Sequence, residues 1–191
     1  MGRPKALLAP EGRSFLARVV AALRDGGCDP LLVVVRDPRG KEADEARRLE
    51  ATVVVNADPG PGPISSLRAG LGALPPAADG CAWCPVDYPL VRGETVGALV
   101  SAFAMEPERI VVPRWGEERG HPVIFPRRMF EEFDEPELPE GARTVVRRHE
   151  DAVLPVETDD PAVLTDIDSP EDLLRWFPEA SDALAPRSPN R

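Results

Sequence analysis

The residues able to do chemistry gather in a few short segments: GRPKALL at the start, GPGPISSLRAGL, PVDYPLV, GHPVIF and LTDIDSPEDL. Asp87 follows an apolar run, Cys81 to Val86, and is held by Pro89 two residues on. A carboxylate fixed at a strand end suits Mg²⁺, which takes one or two carboxylates and leaves its other positions to water and phosphate oxygens. The same residue type also opens turns, the ordinary alternative at this position. Asp166 and Asp168 alternate around Ile167, so both point to one face if the segment is extended. Asp168 could instead cap the helix that Pro170 opens, which leaves Asp166 as the ligand. Lys5, after Pro4, offers a point charge for a phosphate, although a lone lysine near a terminus commonly sits in water.

Gly62, Ser65 and Ser66 combine a flexible backbone with two hydroxyls ahead of a helix expected from Leu67 to Leu74. That is a suitable place for nucleotide N–H and O–H groups, and a Pro-Gly turn is the plainer reading. His121, between Gly120 and Pro122, is expected to be exposed by its turn, either facing a substrate or decorating the loop. His149 stands among Arg147, Arg148 and Glu150 and reads as part of a solvated helix face without a role. Cys81 and Cys84 form a C-x-x-C, but no second Cys or His pair lies at zinc spacing. They read as small apolar residues inside a strand.

The elements that must position these groups alternate. Ser14 is placed to cap a helix in which Phe15, Val19, Val20 and Leu23 recur, ended by Gly26 and Gly27. Strands are expected at Leu31 to Val35, Thr52 to Val55, Cys81 to Val86, Ile110 to Pro113 and Ala152 to Val156. Helices are expected at Lys41 to Glu50, Glu94 to Met105, Thr144 to His149, and after Asp168. This βαβα order predicts a Rossmann-like, three-layer α/β/α fold around a mostly parallel sheet. Most of the chemical segments then fall at the carboxyl ends of strands, where open α/β sheets bind ligands. Residues 1–179 are expected to form one domain, and 180–191, rich in Pro, Ser and Arg, a disordered tail.

The 191 residues carry 33 acidic and 23 basic side chains, a formal net charge of -10. A surface of that sign repels nucleic-acid backbones, and no basic run counters it. A nucleotide is not excluded, because one lysine and one Mg²⁺ can neutralise a triphosphate locally. No apolar run approaches the length needed to span a bilayer, and no basic-apolar leader follows Met1. A cytoplasmic protein is expected.

Taken in order, these segments resemble the MobA-like nucleotidyltransferases, which include the molybdenum cofactor cytidylyltransferases and guanylyltransferases. Met1 to Leu8 is similar to the end of that family's L-A-x-G-x-S-x-R-M-G-x-P-K signature. Gly62 to Leu71 resembles its base- and ribose-contacting loop, and Val86 to Leu90 its D-x-P metal-binding strand end. Gly120 to Phe125 is similar to the G-H-P-V-L-F of the cytidylyltransferase branch, and Asp166 to Leu173 to D-I-D-T-P-E-D-L. The resemblance implies a nucleotide-diphospho-sugar transferase type of fold. It implies transfer of CMP, or GMP, from CTP or GTP to molybdopterin with release of pyrophosphate. It gives Asp87, with Asp166 or Asp168, to Mg²⁺; Lys5 and Arg3 to the triphosphate; Gly62, Ser65 and Ser66 to base and ribose; and His121 to the acceptor. A molybdenum enzyme enters as a partner through the resemblance alone. The family's first strand and Gly-rich loop would precede Met1, so the expectation is a natural chain roughly a dozen residues longer. A truncated or non-catalytic nucleotide-binding relative, or a transferase acting on a sugar or alcohol phosphate, is the alternative.

Overall fold

The computed structural model describes residues 4–180. Helix α1, Phe15–Asp25, starts where Ser14 accepts a hydrogen bond from the Ala17 amide at 3.0 Å. A cap of this kind contributes about 1 kcal/mol. The same hydroxyl donates to the buried Glu45 carboxylate at 2.7 Å, which ties α1 to α2, Lys41–Arg48. The buried face of α1, with Phe15, Leu16, Val19 and Val20, follows the helical period seen in the sequence. Its end at Gly26 lies so close to Val96 that an added Cβ would meet the valine Cβ at 2.4 Å.

Strands β1, Leu32–Val35, and β2, Thr52–Val55, pair in parallel through Leu32↔Thr52 to Val35↔Val55, joined by α2. Helix α3, Pro63–Ala73, leads to β3, Gly80–Trp83, and α4, Gly93–Met105, leads to β4, Ile110–Trp115. A tight reversal through Gly116 (φ 61°) and β5, Glu118–Arg119, then turns the chain back. The GHPVIF segment therefore runs antiparallel as β6, Val123–Pro126, between β3 and β4. Helix α5, Ala142–Arg148, precedes β7, Val153–Glu157, which pairs in parallel with β4 from Ile110↔Val153 to Arg114↔Glu157. Helix α6, Pro170–Trp176, closes the fold.

Alternation along the strands makes the three layers. Ile110, Val112, Val123 and Phe125 pack on α3, α5 and a 3-10 segment, Arg127–Asp134. Val111 and Ile124 face the other way, onto Leu99 and Ala102 of α4. Among the described residues the β1–β2 pair is not hydrogen-bonded to the larger sheet. Between them runs a cavity of about 610 Å³, bounded by Leu32–Val34 of β1 and Gly80–Trp83 of β3 and walled by apolar residues of α1 and α3.

Some boundaries moved. Helix α3 begins at Pro63, a good first helical residue, so Ser65 and Ser66 lie inside its first turn rather than ahead of it. Strand β3 stops at Trp83, ahead of the turn from Pro85 to Tyr88. Ser169, not Asp168, caps α6, in a capping box with Asp172. Ala180 is buried in a 3-10 turn against Phe177, so it belongs to the folded body; the rest of the expected tail lies outside the described residues. Among the described residues no helix is long and apolar enough to cross a membrane.

Candidate active site

Three distant segments meet beyond the end of β3. The first is the turn carrying Asp87, closed by a Tyr88 amide bond to the Pro85 carbonyl at 3.2 Å. The second is residues 166–168: the Ile167 amide donates to the Asp87 carbonyl at 2.8 Å, and the Ile167 side chain is fully buried. Burying Ile167 leaves the flanking Asp166 and Asp168 exposed, as the alternation predicted. The third is the 3-10 turn Lys5–Leu7, held down by the neighbouring Leu8, which packs with Phe15, Ile167 and Leu173. Lys5 Nζ pairs with Asp168 and stands 3.9 Å from Asp87 Oδ2. Because Ser169 takes the capping duty, the Asp168 carboxylate is free for this contact.

The site is electrostatically unbalanced. Burial pushes the Asp87 carboxyl above the usual carboxylate range; its own backbone hydrogen bond and Lys5 pull it down, and Asp168 and Asp166 push it up again. Asp87 Oδ1 is buried without a hydrogen-bond partner among the described residues. A carboxylate oxygen lacking a donor, beside further carboxylates and a single ammonium, suits a divalent cation. Among the described residues no three His, Cys, Asp or Glu side chains stand together as a complete metal cage, so any cation here depends on outside oxygens.

His121 departs from expectation. Its Nδ1 is buried and unpartnered among the described residues, and its ring lies 5.4 Å from Trp83 edge-on and 4.7 Å from Tyr88. Burial holds its pKa down at about 4, so the ring is neutral at physiological pH. The turn is not exposed because the chain at Gly120 presses onto the Val163 carbonyl, where an added Cβ would come within 2.1 Å. Burial by the same neighbourhood, followed by the acidic groups around it, pushes Tyr88 up to about 12. His149 is likewise not a solvated group: its Nε2 lies 2.7 Å from Glu132.

The GPGPISS loop is organised by a residue the sequence reading passed over. Asn56, buried at the end of β2, donates from Nδ2 to Ser65 Oγ at 2.8 Å and Ser66 Oγ at 3.2 Å. Its Oδ1 accepts from the Asp58 amide at 3.1 Å, and Ser65 Oγ donates to the Gly62 carbonyl at 2.7 Å. The available signal was an amide side chain directly after an apolar strand. Gly62, at φ 82°, provides the left-handed turn into α3. No hydrogen bond or ion pair among the described residues joins this loop to Lys5, Asp87 or Asp168. Arg3 lies outside the described residues.

The C-x-x-C is a pair of free thiols, with Cys84 raised to about 12 by burial first and then by Asp87 and Cys28. Cys81 is raised similarly, to about 12, which removes thiolate chemistry from consideration for both.

The fold is that of the nucleotide-diphospho-sugar transferases. Rv0371c from Mycobacterium tuberculosis H37Rv superimposes with a TM-score of 0.73 at 26% identity, covering 93% of this chain and 90% of that one. The same protein solved in complex with manganese gives 0.72 at 27% identity, covering 93% of each chain. The chain belongs to the family of the MobA-like NTP transferase domain, whose model matches residues 1–153. A molybdenum cofactor guanylyltransferase of Rhizobium meliloti is 27% identical over 95% of this chain and 88% of its own length. A probable molybdenum cofactor guanylyltransferase of Opitutus terrae is 32% identical over 52% of this chain and 47% of its own.

Proposed function

We propose that this site moves a nucleoside monophosphate from an NTP to the phosphate of molybdopterin, releasing pyrophosphate. The observation that carries the reading is the convergence of Lys5, Asp87 and Asp168, from the start, middle and later part of the chain, onto one point. An acceptor phosphate is already anionic, so the protein needs no strong base; its contribution is positioning and charge neutralisation. Asp87 and Asp168, with Asp166 as the alternative to Asp168, would hold Mg²⁺, which when bound supplies Lewis-acid stabilisation of phosphate oxygens. Lys5, with Arg3, neutralises the triphosphate and the charge that develops on pyrophosphate. Ser65 and Ser66, oriented by Asn56, and the Gly62 backbone hold base and ribose. The neutral His121, packed on Trp83 and Tyr88, lines the acceptor side.

The names of the relatives favour GTP as donor. The Gly120–Phe125 segment favours CTP, because it resembles the cytidylyltransferase form. Isothermal titration with each nucleotide, with and without Mg²⁺, separates them: the donor binds, and binds more tightly with the metal. Silence with both nucleotides refutes nucleotidyl transfer by this chain.

A further inference from the structure

We propose that Lys5 is a resident counter-ion: in the nucleotide-free protein its ammonium occupies the place between Asp87 and Asp168 where a divalent cation would sit. Cation and triphosphate must then arrive together, since only a polyanion can draw the ammonium away. The inference rests on the nucleotidyl-transfer reading above and concerns the state before substrate binds.

Lys5 Nζ contacts Asp168 and lies 3.9 Å from Asp87 Oδ2, so one ammonium stands within reach of both carboxylates. Even beside that position a divalent ion would meet strong repulsion from an ammonium a few ångströms away. The ammonium also cancels one of the two facing charges, which leaves a weak ligand pair. Lys5 cannot drift off, because its turn is anchored by the buried Leu8. Yet its side chain is 32% exposed, and its flexible stem can swing without moving the backbone. Asp87 Oδ1 is buried without a donor among the described residues, so Lys5 satisfies the carboxylate incompletely. Moving Lys5 to a phosphate would free the carboxylate pair and neutralise the substrate in one displacement.

The test is a Mn²⁺ titration of the full chain without nucleotide, with free Mn²⁺ read by electron paramagnetic resonance. Variants are Lys5→Met, Asp87→Asn, the two combined, and Lys41→Met, which changes net charge equally at an exposed position on α2. Lys5→Met should bind Mn²⁺ on the order of tenfold more tightly than the wild type. Asp87→Asn should remove that binding in either background, and Lys41→Met should leave it unchanged. Equal or weaker binding by Lys5→Met, with Asp87→Asn still abolishing it, overturns the counter-ion role while the metal site stands. An equal gain in Lys41→Met overturns it as a bulk charge effect. No Mn²⁺ binding in any variant overturns this role, since removing the ammonium then leaves the carboxylates no better able to hold a cation. The metal assignment itself is read by repeating the titration of the wild type and Asp87→Asn with nucleotide present.

Discussion

Replacing Asn56 by alanine removes one side chain and three hydrogen bonds: those to Ser65 Oγ at 2.8 Å, to Ser66 Oγ at 3.2 Å and from the Asp58 amide at 3.1 Å. Asn56 is 6% exposed and Ser65 7%, so water cannot replace the shorter bond without opening the loop. Ser65 keeps its own bond to the Gly62 carbonyl, and Ser66 is only part-buried, which limits the loss. At about 1 kcal/mol for each bond, the variant should lose roughly 2–3 kcal/mol. That is within the reserve of an ordinary domain, so the protein stays folded at 25 °C. Urea unfolding followed by circular dichroism measures the loss, and nucleotide titration at 25 °C reads the loop. Affinity should fall about tenfold, the equivalent of 1.4 kcal/mol, because the serine hydroxyls lose their fixed orientation. A stability change below about 0.5 kcal/mol would refute the claim that Asn56 organises the loop. A clear stability loss with unchanged nucleotide affinity would instead remove the loop from the nucleotide site.

Asp87→Asn should abolish turnover and yet raise the melting temperature at pH 7. Burial lifts the folded-state pKa of this carboxyl, so its contribution to stability is full below the unfolded pKa and declines as pH rises through the folded one. The gain over wild type should therefore shrink toward pH 3, and a variant no more stable than wild type at pH 7 contradicts it. His121 runs the opposite way: with a folded pKa of about 4, it costs stability as pH falls below its ordinary 6.5, by roughly 3 kcal/mol at full effect. His121→Gln should flatten the stability profile between pH 6.5 and 4, and an unchanged profile there argues against the burial. Gly120→Ala, driving a Cβ to 2.1 Å from the Val163 carbonyl, should destabilise by about 1–3 kcal/mol or more. Gly72→Ala, in α3 with nothing within 4 Å, should stabilise by about 0.5–1 kcal/mol; chemical denaturation of the two variants tests both signs.

The sequence by itself determined what local periodicity and local chemistry can encode. The apolar runs at 52–55 and 110–113 became strands, and the spacing of Phe15, Val19 and Val20 became a buried helix face. The alternation of Asp166 and Asp168 around Ile167 placed both carboxylates outward, because a strand-like segment sends neighbours to opposite sides. Residue type marked Lys5, Asp87 and Asp168 as candidates, since few other groups bind phosphate or a hard cation. Only the tertiary structure decided which of them meet. Lys5 and Asp168 are separated by 163 positions, and no local pattern carries a contact of that range. Tertiary packing also reversed local readings. The His121 turn is half-buried because Gly120 presses onto Val163 and Trp83 and Tyr88 pack against the ring, all set by distant segments. The direction of β6 followed from the reversal at Gly116 and from strand partners on either side, neither of which its own apolar sequence specifies. Asn56 took its role from a helix beginning seven residues later, whose first turn brings Ser65 and Ser66 back onto the strand end. Periodicity fixes which face of an element is apolar, whereas the partner for a polar side chain is fixed by how faces far apart in the chain are packed together.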